Sequence, residues 1–218
     1  MKTVALFSGG LDSTLLLYEL LQEGDEVLAL SIDYGQRHRI ELEYAQRIAS
    51  LLNVQWEVAD LSGITHLIAG SSQTSEEVAV PHGHYAEESM KQTVVPNRNM
   101  IMLSVAAGWA INQKANRVAY AAHGGDHTIY PDCRPEFAKA LDKTLQLADW
   151  HSVTLYSPFI SLSKTELVQR GNLLNVDFSL TWSCYEGGKK HCGKCGTCVE
   201  RKEAFKDAAV NDPTLYSA

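Results

Sequence analysis

The sequence lacks the features of a membrane protein or a nucleic-acid-binding protein. Its longest apolar run, residues 100–111, is interrupted by Ser104 and Gly108 and is too short to cross a bilayer. It also lacks a basic excess, because 19 lysines and arginines stand against 26 aspartates and glutamates, for a formal net charge of −7. Nucleic-acid backbones are bound through clustered positive charge. We therefore expect a small-molecule substrate, no direct contact with nucleic acid and no membrane attachment.

Targeting signals, internal repeats and low-complexity tracts are also missing. The first residues lead directly into a strand pattern and do not form the charged and apolar segments of a signal peptide. With 218 residues, of which 45% are hydrophobic, the chain is large enough for one domain with its own core. We expect a cytoplasmic protein with a single domain over residues 1–218.

Cysteine is scarce, and its placement argues against a disulfide framework. Of five cysteines, four follow a compact pattern between residues 184 and 198. Thiolates are soft metal ligands, and C-x2-C spacings let successive sulfur atoms reach one ion, so we predict a closed structural zinc site within residues 180–210. An iron–sulfur cluster is the alternative, although Lys202 stands where a ferredoxin run would continue. The predicted metal ligands are Cys184, Cys192, Cys195 and Cys198.

What the sequence does have is a phosphate-binding pattern at its start. Residues 2–7 form a short apolar run without a helical period, a Ser-Gly-Gly turn follows, and residues 14–21 are rich in apolar residues. This order predicts a strand, a tight loop and a helix. Adjacent glycines let the backbone approach an anion, and the helix start offers free N–H groups and the positive end of its dipole.

The loop and the helix start carry groups that suit a phosphate and a magnesium ion. The hydroxyls of Ser8, Ser13 and Thr14 are hydrogen-bond donors, and the Asp12 carboxylate is suited to hold Mg²⁺ against the phosphates. The loop matches neither G-x-x-x-x-G-K-[ST] nor G-x-G-x-x-G. An ordinary strand-to-helix turn with a Ser or Asp cap is the alternative. The predicted ATP-binding residues are Ser8, Gly9, Gly10, Leu11, Asp12, Ser13 and Thr14.

Strand and helix patterns alternate along the rest of the chain. Short apolar runs are followed by longer segments with a helical stripe, and this alternation predicts a parallel sheet. Ligands of such sheets bind at the carboxyl ends of the strands, where polar clusters follow three of the predicted strands. Strands are predicted over residues 2–7, 26–33, 54–59, 117–122 and 153–160, and helices over residues 14–21, 41–52, 100–113 and 135–149.

Residues 61–95 have no clear period and are rich in Ser, Thr, Gly, His and Glu. A segment of this length is long for an irregular loop in a compact domain. We expect partial helices here and a mobile lid that covers the substrate. His66, His82 and His84 lie in this segment, and a metal site is the alternative for them, although no usual ligand set is complete nearby.

Polar residues after the predicted strands are candidates for substrate binding. Asp126, Asp132 and Arg134 form the most unusual cluster, because a carboxylate accepts N–H donors from a guanine-like edge and an arginine clamps a carboxylate. A helix cap for Asp132 and a surface ion pair for Arg134 are the alternatives. A second cluster follows the strand at residues 26–33, and it contains Tyr34, Gln36, Arg37 and His38.

Two further residues have more than one interpretation. Lys164 lies just inside a predicted helix start, where Ser163 and Glu166 form a capping box. It either reaches an ATP phosphate as a point charge or is an exposed helical lysine. Cys133 stands apart from the zinc pattern and is interpreted as a packed thiol, with a catalytic nucleophile as the alternative.

The motifs together resemble a known enzyme family. The first loop is similar to the S-G-G-x-D-S loop of the PP-loop ATP pyrophosphatases, which adenylate an oxygen of their substrate and release pyrophosphate. The whole set, which runs in order along nearly the entire chain, resembles the 7-cyano-7-deazaguanine synthase family, usually called QueC. The motifs are S-G-G-L-D-S at residues 8–13, D-Y-G-Q-R-H at 33–38, N-R-N at 97–99, Y-P-D-C-R-x-x-F at 130–137, L-S-K-T-E at 162–166 and the cysteines at 184–198.

This resemblance implies an ATP-dependent ligase that converts 7-carboxy-7-deazaguanine and ammonia to the nitrile, a precursor of queuosine. It implies a doubly wound, Rossmann-like parallel sheet of the PP-loop type, bound Mg²⁺ and Zn²⁺, and a homodimer. On the positions that match the motifs, we expect Asp12, Lys164 and Arg98 to act in catalysis. The residues expected to bind the substrate are Tyr34, Gln36, Arg37, Asn99, Asp126, Tyr130, Asp132 and Arg134.

Departures from the common family motifs keep other functions open. Leu11 stands where the family commonly has Gln, and Asn97 stands where it has Gly. One alternative is a related enzyme that joins the activated acid to another amine, such as one on a protein, and stops at the amide. A second is a PP-loop tRNA-thiolation enzyme that uses the cysteines for an iron–sulfur cluster or a sulfur relay, which the acidic net charge opposes. A third is a non-catalytic nucleotide-binding module.

Overall fold

The computed structural model describes residues 1–85 and 88–217 and contains a five-stranded sheet with helices on both faces. Within these residues, no helix combines the length and the apolar character that a membrane crossing needs. The strands are β1 (Lys2–Leu6), β2 (Glu26–Asp33), β3 (Gln55–Asp60), β4 (Arg117–Ala119) and β5 (Thr154–Tyr156), and the helices are α1 (Leu11–Gln22), α2 (Glu41–Leu51), α3 (Arg98–Asn112), α4 (Pro135–Leu147), α5 (Lys164–Leu173) and α6 (Gly196–Asp207).

The sheet is parallel throughout, with the strand order β3-β2-β1-β4-β5. The chain moves outward from β1 through β2 to β3, then returns to the other side of β1 for β4 and β5. The connection after β1 and the connection after β4 therefore run toward opposite edges of the sheet. The carboxyl ends of these two strands border a crevice of the kind in which ligands of open α/β sheets bind. The predicted doubly wound parallel sheet is confirmed.

Two hydrophobic cores cover the two faces of the sheet. Side chains alternate between the faces along β1, so Val4 packs in the core formed with α3 and α4, whereas Ala5 packs in the core formed with α1, α2, α5 and α6. Both residues are fully buried. The apolar run at the start of the chain is thus a central strand covered on both sides, which holds the loop after it in place.

The strands β4 and β5 are shorter than the sequence predicted. The predicted strand at residues 117–122 ends at Ala119, and the one at residues 153–160 ends at Tyr156. Beyond these points Tyr120 and Ala122 line a cavity, so their side chains form part of its wall. After β5, Pro158 has no N–H to donate to a neighbouring strand.

The segment at residues 61–95 contains two 3₁₀ helices, Ser62–Leu67 and Glu88–Thr93. The partial helices expected here are therefore present, while positions 86 and 87 of the predicted lid lie outside the described residues. The side chain of Gln73 is fully buried, and its amide nitrogen donates to the carbonyl oxygen of Thr93. This contact ties the middle of the segment to its end.

Helix α6 was not among the predicted helices, because the cysteines and glycines around its start conceal its period. It is attached to the preceding chain by Arg201, which is fully buried. The Arg201 guanidinium donates to the hydroxyl of Thr181 at 2.8 Å, the hydroxyl of Ser183 at 3.1 Å and the carbonyl oxygen of Phe178 at 3.0 Å. A charge taken out of water needs such partners, so α6 has one defined position.

Candidate active site

A cavity of about 240 Å³ lies at the carboxyl ends of β1, β2 and β4. Residues from both halves of the chain line it, and they fall into two groups. The phosphate end includes Ser8, Gly10, Asp12, Ser13, Lys164 and Glu200, and the aromatic wall includes Tyr34, His38, Tyr85, Tyr120, Tyr130, Trp182 and Tyr185. The cavity thus joins a polar, charged end to a wall that suits a planar ring.

The loop between β1 and α1 has the backbone of an anion site. Gly9 has a φ of +80°, and a Cβ there would lie 2.6 Å from the backbone nitrogen of Ala45 and 2.7 Å from the carbonyl oxygen of Glu41. Only glycine fits this position, because both the conformation and the close approach exclude a side chain. No side chain caps the start of α1, so its N–H groups face the cavity end with no competing side-chain oxygen.

The hydroxyls of Ser8 and Ser13 close this loop. Their Oγ atoms lie 3.2 Å apart, and the Ser13 hydroxyl also accepts a hydrogen bond from the backbone N–H of Ser8. Ser13 is buried, and the Thr14 hydroxyl is buried without a hydrogen-bond partner among the described residues. Leu11 is also buried, and it lines the cavity while packing in the core beneath the loop.

Lys164 and Asp12 meet at the phosphate end, although they lie 152 residues apart in the chain. The Lys164 ammonium donates to Asp12 Oδ2 at 2.7 Å and lies 3.4 Å from Glu200 Oε2. Burial raises the pKa of Asp12, but the charges of Lys164, His123 and Arg201 and the hydrogen bond from Lys164 together outweigh burial and hold the pKa below its usual range. For Lys164, burial lowers the pKa, but the nearby carboxylates, chiefly those of Asp12 and Glu200, together raise it by more. The pKa of Lys164 therefore lies above its usual range. Lys164 therefore carries a full positive charge beside the loop.

Two carboxylate oxygens at this end have no hydrogen-bond partner among the described residues. They are Asp12 Oδ1 and Glu200 Oε2, and both are buried. Burial raises the pKa of Glu200, which Lys164 partly offsets. Buried oxygens without donors are costly, and carboxylates are the ligands that Mg²⁺ prefers. The donor set at the phosphate end therefore fits a magnesium ion.

His123 and Asp126 lie beside this group at the end of β4. The His123 ring is buried, and its Nδ1 accepts a hydrogen bond from the backbone N–H of Gly125, while Asp126 Oδ2 accepts from the backbone N–H of His123. In neutral His123 the proton therefore sits on Nε2. That nitrogen lies 3.4 Å from the Lys164 ammonium and 3.6 Å from Asp126 Oδ1, at the phosphate end.

Arg98 supplies the positive charge of the aromatic wall. Its Nη1 donates to Gln73 Oε1 at 2.9 Å, and its guanidinium carbon lies 6.0 Å from the Tyr34 ring centre and 5.7 Å from the Tyr130 ring centre. Burial raises the pKa of Tyr34 to about 12, so this phenol stays neutral. The Tyr130 hydroxyl lies 3.3 Å from that of Tyr185. The wall therefore combines ring faces with one fixed cation.

Glu41 adds a carboxyl group to the same wall. Its Oε1 accepts a hydrogen bond from the Gln36 side chain at 3.0 Å, and its Oε2 lies 3.6 Å from His38 Nε2. Burial raises the pKa of Glu41 to about 8, and it lowers the pKa of His38 to about 3. The two groups therefore do not form an ion pair at neutral pH. Gln36 donates its second N–H to the carbonyl oxygen of Ile32 and so holds Glu41 in place.

Several residues predicted to bind substrate contact other parts of the chain. Asp132 accepts a hydrogen bond from the backbone N–H of Asn99 and caps α3, while Arg134 is exposed and donates to the carbonyl oxygen of His127. The Arg37 guanidinium donates to the carbonyl oxygens of Ser75 and Val78 in the segment at residues 61–95. The predicted residues that line the cavity are Tyr34, Arg98, Asn99, Asp126, Tyr130 and Lys164, together with Ser8, Gly10, Leu11, Asp12 and Ser13 of the loop.

Cys133 also lines the cavity but does not have the environment of a nucleophile. It is buried, and burial raises the pKa of its thiol well above the usual range. The Asn99 side chain donates to its sulfur at 3.2 Å. A nucleophilic cysteine needs a stabilised thiolate, so the packed-thiol interpretation agrees with this site.

The four clustered cysteines converge as predicted. Their sulfur atoms all lie within 4.8 Å of one another, and Cys184, Cys195 and Cys198 are buried. Backbone N–H groups of Cys192 and Cys195 donate to sulfurs of the group at 3.2 Å each. Four soft ligands in a closed arrangement fit a structural tetrahedral ion. The cluster lies beside the cavity, because Glu200 follows Cys198 by two residues on α6.

Glu41, Glu200 and Tyr185 of the cavity wall were missed as site residues, and so was His123, which lies beside Lys164 and Asp126. The alternation of strands and helices carries no signal for Glu41 or Glu200, because each lies on a helix that has at least one further acidic residue. A signal existed for His123, because it directly follows a predicted strand, where ligands of parallel sheets bind. Tyr185 is adjacent to Cys184 and could have been found from that proximity to the metal pattern.

Comparisons with known proteins place the whole chain in one family. The family model described as queuosine biosynthesis protein QueC matches residues 2–209. A 7-cyano-7-deazaguanine synthase of Hahella chejuensis is 51% identical over 217 residues, which cover 100% of this chain and 94% of the relative. The enzyme of the same name from Methanoregula boonei is 50% identical over 216 residues, with 99% of each chain covered. The chain is thus similar to these enzymes along its full length.

Solved structures share the fold at low sequence identity. The U34-tRNA thiolase NcsA from Methanococcus maripaludis, solved with its [4Fe-4S] cluster, has a TM-score of 0.52 and 13% identity over 95% of this chain and 67% of its own. A 4-thiouridine synthetase in complex with RNA and ATP has a TM-score of 0.56 and 14% identity over 95% of this chain and 51% of its own. At such identity the likeness concerns the fold alone.

Proposed function

Because the chain belongs to the queuosine biosynthesis protein QueC family, we propose that it makes 7-cyano-7-deazaguanine from 7-carboxy-7-deazaguanine and ammonia, with ATP as the activating substrate. The single observation that carries the proposal is an identity of about half of all residues, over the full length, to enzymes named for this product. The cavity agrees with it, because one space joins a phosphate end to an aromatic wall.

In the first step, the substrate carboxylate attacks the α-phosphorus of ATP, and pyrophosphate leaves. We propose that the loop at residues 8–13 and the start of α1 bind the phosphates through backbone N–H groups. Lys164, held by Asp12 at 2.7 Å, would stabilise the charge that develops on the phosphate oxygens. Ammonia then displaces AMP from the acyl adenylate, which gives the amide.

In the second step, the amide oxygen is adenylated by a second ATP, again with loss of pyrophosphate. AMP then leaves with that oxygen, the two N–H protons of the amide are lost, and the carbon–nitrogen triple bond forms. The same phosphate end serves both activations, because the reacting oxygen occupies the same place in the acid and in the amide. Arg98 and the tyrosines of the wall would keep the ring in position between them.

The two metal ions have different roles in this proposal. Mg²⁺ would be held at the phosphate end by Asp12 Oδ1 and Glu200 Oε2, which accept no hydrogen bond within the described residues, and would supply charge neutralisation for pyrophosphate release. Zn²⁺ would be held by Cys184, Cys192, Cys195 and Cys198 and would fix the position of α6.

The alternatives receive no support from the relatives. Enzymes that are 49% to 52% identical are named for the nitrile product, which favours the nitrile over an amide made with a protein acceptor. The likeness to the U34-tRNA thiolase and to the 4-thiouridine synthetase is at 13% and 14% identity and concerns the fold alone. We also propose that the protein is a cytoplasmic homodimer, an expectation that its family resemblance supports.

The test is a product assay with the purified, metal-loaded protein. Incubation with 7-carboxy-7-deazaguanine, ammonia and ATP should give AMP, pyrophosphate and the nitrile by mass spectrometry. Lys164→Met should lower the turnover by about 10²-fold or more, because it removes the cation at the developing charge. Formation of the amide without the nitrile would favour the alternative enzyme that stops at the amide. The absence of ATP consumption with this acid would reject the proposal.

A further inference from the structure

We propose that Glu41 is the residue that recognises the guanine edge of the substrate, by accepting hydrogen bonds from the ring N1–H and the 2-amino group. The inference rests on the proposed function, because it takes a 7-deazaguanine as the ring in the cavity. It adds a specificity-determining residue that none of the sequence motifs indicated. The argument starts from the four carboxyl groups that line the cavity, which are those of Asp12, Glu41, Asp126 and Glu200.

Two of these carboxyl groups belong to the phosphate end. Asp12 and Glu200 share Lys164, at 2.7 Å and 3.4 Å from its ammonium group. A carboxylate engaged by a cation beside a phosphate-binding loop is placed for phosphate and metal chemistry, and it is a poor acceptor for a neutral ring. Neither group is therefore available to the edge of the base.

The third carboxyl group already has its donors. Asp126 Oδ1 accepts from the Tyr85 hydroxyl at 3.1 Å, and Oδ2 accepts from the backbone N–H of His123 at 3.1 Å. It thereby joins the segment at residues 61–95 to the end of β4. A ring that took these lone pairs would have to compete with bonds that hold two parts of the chain together.

Outside the phosphate end, Glu41 is the cavity carboxyl group with the fewest donors among the described residues. Its side chain is only 12% exposed, yet its one hydrogen bond within the described residues comes from the Gln36 amide, at 3.0 Å to Oε1. His38 Nε2 is 3.6 Å from Oε2, too far for a hydrogen bond. A buried carboxyl group with so few donors is costly for the folded protein unless a ligand supplies them.

The surroundings of Glu41 match the remaining features of a guanine ring. Tyr34 and His38 belong to the same wall, and the His38 ring lies 5.3 Å from the Tyr185 ring, so flat faces are present for stacking. Arg98 interacts electrostatically with Glu41 and offers N–H donors. On a guanine edge the carbonyl oxygen accepts and stands beside N1–H and the 2-amino group, which donate. An arginine and a carboxyl group that line the same cavity supply the complementary groups.

The test compares the guanine acid with an analogue that lacks only the 2-amino group. Binding of the two acids to the holoprotein is measured by calorimetry, and kcat/KM is measured with ATP and ammonia. The wild type should prefer the 2-amino compound by about 10- to 100-fold, because a site built for an N–H donor rejects a ligand without it. Glu41→Gln should lose most of this preference, since Gln36 would keep the new amide oxygen and leave an NH₂ group facing the ring.

The controls separate this role from others. Glu43→Gln changes an exposed acid on the same helix, paired with Arg47 at 3.8 Å, and should keep the full preference. The KM for ATP should be unchanged in Glu41→Gln, because the phosphate end is intact. The inference is overturned if the wild type binds both acids equally, or if Glu41→Gln keeps the preference while Asp126→Asn loses it. Calorimetry measures the binding preference without turnover. A failure of the proposed reaction would therefore be distinguished from a failure of this inference.

Discussion

Glu41 links the chemistry of a single residue to the stability of the whole chain. Its carboxyl group is buried beside Gln36, and its pKa is raised to about 8 because burial disfavours the charged form. Arg98 opposes the shift, and Asp33 adds to it. A site that keeps an acid short of donors gives up stability in the free protein in return for selectivity when the ligand arrives.

The stability of the protein should therefore depend on pH through Glu41. Below the unfolded pKa of about 4.5 the group is protonated in both states, and the raised folded pKa has no cost. As the pH rises towards 8, only the unfolded chain ionises freely, so the wild type should lose up to about 1.4 kcal/mol per pH unit relative to Glu41→Gln. Denaturant unfolding at pH 5, 6.5 and 8 measures this difference.

The matched control is Glu43→Gln, whose side chain is exposed on the same helix. Its free energy of unfolding should follow that of the wild type across the same pH range. A constant difference between Glu41→Gln and the wild type at all three pH values would contradict the raised pKa of Glu41.

At the scale of elements, α6 connects the metal site to the cavity. The helix begins beside Cys195, contains Cys198, places Glu200 3.4 Å from Lys164 and holds the preceding chain through Arg201. Its apolar residues are not gathered on one face, so the position of α6 depends on these specific contacts more than on a hydrophobic stripe. A metal ion at the cysteines would therefore position a wall of the active site without taking part in the reaction.

Removal of the metal should loosen this helix. The protein as purified should hold one zinc and no iron per chain by mass spectrometry, and chelation should lower the Tm by about 5 °C or more, since a loss of a few kcal/mol corresponds to this shift in a chain of this size. Cys192→Ser should bind less zinc, whereas Cys133→Ala, outside the cluster, should retain it. Iron with labile sulfide, or an unchanged Tm after verified zinc loss, would contradict the assignment.

At the scale of the whole molecule, two large apolar side chains near the end of α4 are exposed to water. Trp150 is fully exposed, and Leu147, three residues earlier at the end of α4, is 86% exposed. Tryptophan is enriched where proteins associate. If the protein forms the proposed homodimer, we expect Trp150 and Leu147 to lie in the contact between the two copies.

Light scattering coupled to size exclusion should therefore give about twice the chain mass of 24.1 kDa. Trp150→Glu should shift the protein to the monomer mass with an unchanged circular dichroism spectrum, because it places a charge in the contact. Leu173→Glu, at another exposed apolar position, should leave the dimer intact. A wild-type protein that elutes at the monomer mass at micromolar concentration would reject the dimer.

Local patterns in the sequence were sufficient for much of this protein. The apolar run, the Ser-Gly-Gly turn and the following stripe predicted β1, the tight loop after it and α1, because strand, turn and helix preferences act over a few residues. The capping box of Ser163 and Glu166 is present as predicted, and the cysteine spacing predicted four converging sulfur atoms. Each of these features depends on neighbours in the chain.

The tertiary structure decided which distant side chains meet. Lys164 reaches Asp12 across 152 residues, and Glu200 joins them from a helix that the sequence did not indicate. Asp132, a predicted substrate ligand, accepts a hydrogen bond from the backbone N–H of Asn99 and is not among the residues that line the cavity, whereas Glu41, which no motif had marked, lines it. The physical reason is that periodicity states which face of an element is buried, whereas the partner across a cavity depends on how the sheet order and the helix packing bring remote segments together.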